Sequence, residues 1–186
     1  MSDYNVNKAE SKLLISLHLI EKNDDFLAYT INQKQYIIHY SDLAQFWEYA
    51  NITDTEAVHA EVKGAYIIAV LHTAGAQGGI IFIWDCNKHE LAHVSDGSYA
   101  YAIVLYDNYV YALCAVSNFI TNIHFELTKC IFGTMDAWRE PEYIECKFSC
   151  DPMEFNGDFE SIKLYCDKGF FAMKLNGNTY SIELTD

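Results

Sequence analysis

The sequence predicts an all-β protein, built as a small or incomplete propeller-like array of about four antiparallel sheets with one short helix. Short apolar runs recur along the 186 residues, separated by turn-forming residues at strand spacing. Aromatic residues make up 15% of the chain, with 14 Tyr and 11 Phe, which favours strands and a core of its own. We expect a single domain over residues 1–186. A two-sheet β-sandwich with one helix is the alternative.

The N-terminal part predicts a three-stranded meander followed by the helix. Apolar runs at 13–20, 26–31 and 36–40 are separated by the polar segments 23–25 and 32–34. Ser41 and Asp42 then resemble a helix N-cap. After them, residues 43–50 place four apolar side chains on one helical face, which we expect to be buried. These are Leu43, Phe46, Trp47 and Ala50.

The central part, residues 64–128, predicts the most buried strands because it contains only six charged residues. The candidate strands are 65–72, 80–84, 98–106 and 109–116. Asp107 and Asn108 predict a two-residue hairpin turn between the last two. The glycine-rich loop 73–79 lacks the lysine and the spacing of a phosphate-binding loop, so we interpret it as a hinge or lid.

The C-terminal part repeats the meander pattern. Strands are predicted at 161–166, 170–175 and 179–184, with turns at 167–169 and 176–178. The second turn contains Asn176-Gly177, a strong hairpin signal. Residues 135–145 contain a proline and several charges, and we expect them to form a long surface connection.

The stretch 80–97 supports two interpretations that exclude each other. His89, Glu90 and His93 form an HExxH pattern. On a helix, this spacing puts two imidazoles on one face beside a catalytic carboxylate, as zinc proteases require. In the other interpretation, 80–84 is a strand closed by Trp84-Asp85, 86–89 is a turn, and 90–95 is the returning strand. We favour the strand interpretation, with Trp84 packed between sheets, because it continues the meander.

The strand interpretation resembles a blade of a WD-repeat propeller, whose third strand commonly ends in a Trp-Asp pair. The resemblance covers residues 80 to about 116. It implies a propeller-like array of antiparallel sheets.

Composition and charge narrow the classes of partner. The formal net charge is −14, from 26 acidic and 12 basic residues. Nucleic acid and anionic membranes bind clustered Lys and Arg, so neither is expected as a direct ligand. The chain shows neither a signal-peptide pattern nor an apolar run of membrane-spanning length, and we expect a cytoplasmic protein. In that compartment the six cysteines are expected to be reduced.

These observations predict a non-catalytic protein-binding module that uses an acidic, tyrosine-rich surface to bind another, basic protein. An inhibitor or immunity protein for a basic toxin, or a mimic of nucleic-acid charge, fits this description. No cofactor and no catalytic residue are assigned on this hypothesis. The alternative is a small zinc-dependent hydrolase or peptidase, in which His89 and His93 bind zinc and Glu90 is the catalytic residue. The sequence carries no signal for an oligomeric state.

Overall fold

The computed structural model describes residues 19–22, 24–31, 33–50, 55–73, 79–97, 99–117, 123–135, 141–148, 162–175 and 177–185. This part of the chain contains fifteen strands and one helix, which confirms the all-β prediction. The elements are β1 (Leu19–Lys22), β2 (Phe26–Ile31), β3 (Lys34–His39), α1 (Tyr40–Ala50), β4 (Thr55–Lys63), β5 (Tyr66–Thr73), β6 (Gly79–Asp85), β7 (Glu90–Asp96), β8 (Ala100–Tyr106), β9 (Tyr109–Ser117), β10 (Ile123–Ile131), β11 (Glu142–Ile144), β12 (Cys146–Phe148), β13 (Lys163–Asp167), β14 (Phe170–Leu175) and β15 (Asn178–Leu184).

The strands form four antiparallel sheets. Sheet A is β1-β2-β3, sheet B is β4-β5-β6-β7, sheet C is β11-β10-β9-β8 and sheet D is β12-β15-β14-β13. The sequence therefore correctly predicts about four antiparallel sheets and one helix. Four sheets exceed the two that a sandwich would have.

Three apolar clusters join the sheets in chain order. The first packs Ile38 of β3 and Phe46 of α1 against one face of sheet B, including Trp84. The second lies between the other face of sheet B and sheet C, where Ile83 is buried. The third joins sheet C to sheet D around Met173. Sheets B and C are thus covered on both faces, as the low charge of residues 64–128 predicts.

Edge strands of successive sheets are neighbours. Strand β8 of sheet C contacts β4 of sheet B on one side and β13 of sheet D on the other. Each of these strands lies at the edge of its sheet and begins a meander. In a propeller, the first strand of each blade lies beside the common axis, so the first strands of consecutive blades are neighbours. The sheets of this protein show the same relation, and the array is therefore propeller-like.

The chain passes from sheet C to sheet D in an unusual way. Strand β11 is an edge of sheet C, β12 is an edge of sheet D, and Glu145 alone separates them. After β12 the chain returns to the opposite edge of sheet D, at β13. A short crossing of this kind opens a recess between two sheet edges.

Local signals predict the turns well. Asp107 and Asn108 have φ of 46° and 64°, the left-handed values that a type I′ hairpin requires. Helix α1 begins at Tyr40, slightly before the predicted N-cap, and buries Leu43 and Phe46 as expected. The side chains of Trp47 and Ala50 lie outside the described residues.

One expectation from the sequence needs correction, and some strands were not predicted. Two further expectations fall partly on residues that the structure does not describe. The segment 135–145 is not wholly a connection, because residues 142–144 form β11 and pair with β10. Strands β4, β10 and β12 are absent from the predicted strands, although the alternation of apolar and polar residues at the end of β4 is typical of a half-buried strand. Residues 13–18 of the first predicted strand and residues 74–78 of the hinge or lid lie outside the described residues.

Among the described residues, no helix is long and apolar enough to cross a membrane.

Gly97 provides a test of the packing at the end of sheet B. A Cβ atom at this position would lie 2.8 Å from Ile81 Cγ1 and 3.0 Å from the Ile81 backbone nitrogen. Because backbone cannot move aside cheaply, we expect Gly97→Ala to lower the free energy of unfolding by about 2 kcal/mol.

Gly177→Asn is the matched comparison, measured by urea denaturation. Gly177 has φ of 84° and no heavy atom within 4 Å of an added Cβ. Asparagine tolerates left-handed backbone, so this change should cost less than about 1 kcal/mol. A Gly97→Ala protein as stable as the parent would contradict the close approach of residue 97 to β6.

Candidate functional site

An open cleft lies where the chain crosses from sheet C to sheet D. Its volume is about 650 Å³. The crossing itself supplies four of the lining residues, and the residue before β8 and two residues of β10 supply the others. They are Tyr99, Phe125, Glu126, Tyr143, Ile144, Glu145 and Cys146.

The walls of the cleft combine aromatic rings with carboxylates. Tyr143 is 67% exposed and Tyr99 is 43% exposed, so both present ring surface to solvent. Phe125 is buried beneath them and packs on Phe148, with ring centroids 5.7 Å apart. Glu145 is exposed and Glu126 half-buried. The cleft thus combines a buried apolar side chain with accessible aromatic and acidic ones.

The charge of the cleft is one-sided. Of the lining residues that the structure describes, two are acidic and none is basic. Lys129, on the same strand as Glu126, is bound instead by Glu142, with Nζ and Oε1 3.1 Å apart. Carboxylates beside aromatic faces form a favourable environment for a cation.

Tyr99 is held in an uncommon backbone conformation. Its φ is 60°, in the left-handed region that bulky side chains avoid. The residue lies just before β8, where Ala100 N–H donates to Gly97 O at 2.9 Å. Such strain persists only where the surrounding structure enforces it, and it is more frequent at ligand sites.

Cys146 is not activated for chemistry. Burial raises the pKa of its thiol, and a hydrogen bond with the Leu127 backbone opposes this only in part. The thiol therefore stays protonated near neutral pH, whereas the thiolate is the nucleophilic form. The arrangement suits binding rather than covalent catalysis.

The residues of the HExxH pattern lie on a turn and a strand. Residues 86–89 form the turn and β7 runs from Glu90 to Asp96, as the strand interpretation predicts. Trp84 is buried in the cluster between sheet B, α1 and sheet A, as also expected. Both predictions about this stretch are confirmed.

His89 points toward helix α1. Its Nδ1–H donates to Asp42 Oδ1 at 2.7 Å. The same oxygen accepts a hydrogen bond from Trp84 Nε1–H at 3.3 Å. Asp42 is fully buried, and its Oδ2 has no hydrogen-bond partner among the described residues. The carboxylate thus joins the first turn of the helix to β6 and to the turn that follows it.

His93 lies on the other face of sheet B. It pairs with Ile83, whose side chain lies between sheets B and C, and it is fully buried. Its Nε2 shares a hydrogen bond with Ser95 Oγ at 2.8 Å, and its ring stacks on Phe132. His89 and His93 therefore face opposite sides of the sheet.

The zinc alternative gains no support from this geometry. Glu90 is exposed at the start of β7 and forms a long ion pair with Lys88, at 3.9 Å. The described part of the chain contains no group of three or more His, Cys, Asp or Glu side chains placed to hold a metal ion. A zinc enzyme would need a third ligand from elsewhere in the chain, and two downstream candidates, His124 and Glu126, lie on β10 in another sheet.

Neither a protein-family model, nor a curated protein, nor a solved structure matches this chain. The resemblance of residues 80–116 to a WD-repeat blade therefore remains a prediction.

The cleft was not predicted from the sequence. Tyr99, Glu126 and Tyr143 are distant along the chain, and only the order of strands in sheet C brings them together. The composition, rich in tyrosine and acidic residues, indicated the chemistry of the surface. It could not indicate the position.

Buried His93 predicts a loss of stability in mild acid. Burial lowers its pKa to about 4. An unfolded histidine, with a pKa near 6.5, binds a proton between these two values whereas the folded one does not. Stability is therefore highest above about pH 6.5 and falls as the pH decreases toward 4. We expect a loss of about 2 kcal/mol between pH 7 and pH 5.

The control is His93→Gln, which can keep a hydrogen bond to Ser95 but does not titrate. Urea unfolding at the two pH values measures the difference for each protein. The variant should lose about 2 kcal/mol less than the parent over this range, since both share the same carboxylates. Equal losses would assign the acid sensitivity to other groups.

The cysteines predict a simple reactivity pattern. Cys86, Cys114, Cys130, Cys146 and Cys166 form no disulfide bond. Burial raises the pKa of Cys114 to about 12, and burial together with the charges of Asp42 and Asp85 raises that of Cys86 to about 12. In the folded protein these two thiols should not react with a disulfide reagent near neutral pH. In denaturant all six should react, and four or fewer would indicate disulfides.

Proposed function

We propose that this chain is a non-catalytic protein-binding module that holds a basic segment of another protein in the cleft between sheets C and D. The observation that carries the proposal is the lining of this cleft. Two exposed tyrosines, Tyr99 and Tyr143, line it together with Glu126 and Glu145, and none of the lining residues that the structure describes is basic.

An arginine side chain suits this lining best. Its planar guanidinium stacks on aromatic faces and forms paired hydrogen bonds with carboxylates. A volume of about 650 Å³ accommodates one or a few side chains. Tyrosine provides contact area with few rotatable bonds, so ordering it on binding costs little entropy.

The charge of the whole protein supports the same kind of partner. A net charge of −14 accelerates the approach of a basic protein and repels nucleic acid. An inhibitor or immunity protein for a basic toxin, or a mimic of nucleic-acid charge, would use such a surface. We place this activity in the cytoplasm, where cysteines that form no disulfide bond, such as Cys146 and Cys166, stay reduced.

A pair of synthetic peptides tests the proposal. One is a short arginine, glycine and serine peptide, and the other carries uncharged citrulline in place of each arginine. We expect the arginine peptide to bind and the citrulline peptide to bind at least about tenfold more weakly, because charge-assisted hydrogen bonds are lost. Biolayer interferometry at low and high salt gives the affinity and the association rate. The association rate should fall as salt rises.

Two double variants separate the cleft from the general charge. Glu126→Gln with Glu145→Gln removes two negative charges inside the cleft, and we expect about tenfold weaker binding. Asp107→Asn with Glu183→Gln removes two charges at exposed positions outside it, and should weaken binding less than about twofold.

Equal weakening by both double variants would show that the cleft is not the site. An association rate that does not depend on salt would show that the acidic surface serves solubility alone. Circular dichroism of each variant checks that the sheets remain folded.

A further inference from the structure

Two histidines meet on the side of sheet B that faces helix α1. His39 ends β3, and His89 occupies the turn between β6 and β7. Their ring centroids are 6.3 Å apart. His39 is exposed, and the side chain of His89 is 58% exposed. Two accessible imidazoles from different sheets therefore stand side by side, about 50 residues apart in the chain.

Asp42 fixes the tautomer of His89. A carboxylate can only accept, so the proton of the 2.7 Å bond lies on His89 Nδ1. In the neutral ring the lone pair is then on Nε2, on the other side of the ring. Histidines that bind metal ions usually donate their second N–H to a carboxylate or carbonyl in this way. His89 is thus oriented as a metal ligand would be.

The electrostatics around Asp42 favour a cation. Asp42 is fully buried and accepts hydrogen bonds from the neutral indole of Trp84 and from His89. Its second oxygen has no hydrogen-bond partner among the described residues. A buried carboxylate is stable only when its charge is offset nearby. A cation bound to Nε2 of His89 would offset the charge of Asp42 through the imidazole ring.

The charged side chains near Asp42 leave the electrostatic potential around it negative. The side chains of Asp42 and Asp85 both oppose ionisation of Cys86, which lies between β6 and His89. Lys88 offsets part of the charge, but its Nζ lies 3.9 Å from Asp85 Oδ2 and 3.9 Å from Glu90 Oε1. The ammonium group therefore lies toward these two carboxylates.

The distance between the rings agrees with a shared ion. A zinc–nitrogen bond of about 2.1 Å and about 1.1 Å from nitrogen to ring centroid put two rings on one ion at most roughly 6.4 Å apart. Tetrahedral binding brings them to about 5.2 Å, which rotation of the exposed His39 can supply. We propose that His39 and His89 form a two-imidazole site for a divalent transition-metal ion such as Zn²⁺, with Asp42 as the positioning residue and water as the other ligands.

This site differs from the HExxH alternative and is independent of the proposed peptide cleft. Its ligands are His39 and His89, whereas His93 is buried on the opposite face. The ion would link β3 to the turn after β6. The proposal therefore concerns a binding site that joins sheets A and B, with no catalytic step.

Isothermal titration of the full chain with zinc chloride tests the site. We expect one equivalent to bind, and His39→Gln and His89→Gln each to weaken this binding at least tenfold. Asp42→Asn should weaken it about tenfold while both imidazoles remain. His124→Gln, on β10 of sheet C, is the matched control and should bind zinc as the parent does.

Circular dichroism and urea unfolding identify any variant that fails to fold. The two exposed-histidine variants keep the test decisive if Asp42→Asn unfolds. Unchanged zinc affinity in folded His39→Gln and His89→Gln proteins would overturn the proposal. A parent protein that binds no zinc would overturn it as well.

Discussion

Face-to-face packing of successive sheets is the constraint on which the rest of the structure depends. Sheet B is covered by helix α1 and sheet A on one face and by sheet C on the other, and sheet C is covered in turn by sheet D. Both faces of the central sheets must therefore be apolar. Polar and reactive groups are left to turns, sheet edges and crossings between sheets, which is where both candidate sites lie.

The buried Asp42 shows what an exception to this rule requires. A carboxylate inside an apolar cluster costs several kcal/mol unless it is hydrogen-bonded and its charge is offset. Trp84 and His89 provide the hydrogen bonds, and the first turn of α1 places its positive end near the carboxylate. Burial of His93 is the opposite case. His93 is buried as a neutral imidazole, so its burial lowers the stability of the fold only at acidic pH, where the ring of the unfolded chain is protonated.

Local patterns predicted local structure, and relations between distant strands could not be predicted in the same way. Strands β2 and β14 have the expected bounds, and Asp107-Asn108 forms the expected turn, because period-two patterning and turn chemistry act within a few residues. The HExxH conflict was resolved correctly on the same local grounds. By contrast, the pairing of Asp42 with His89 joins residues 47 positions apart. The cleft likewise depends on the crossing from β11 to β12, two short strands without a clear pattern.

Net charge and cleft charge have different physical roles. At physiological salt the potential of an exposed charge decays over about 8 Å, so most of the 26 acidic residues cannot act on a ligand already seated in the cleft. On the proposed function they act earlier, by raising the rate at which a basic partner would arrive. Under the same proposal, discrimination between partners comes from groups in contact with the ligand, namely Glu126, Glu145 and the rings of Tyr99 and Tyr143. An acidic surface alone would attract any basic protein, whereas a cleft with defined aromatic walls can select one.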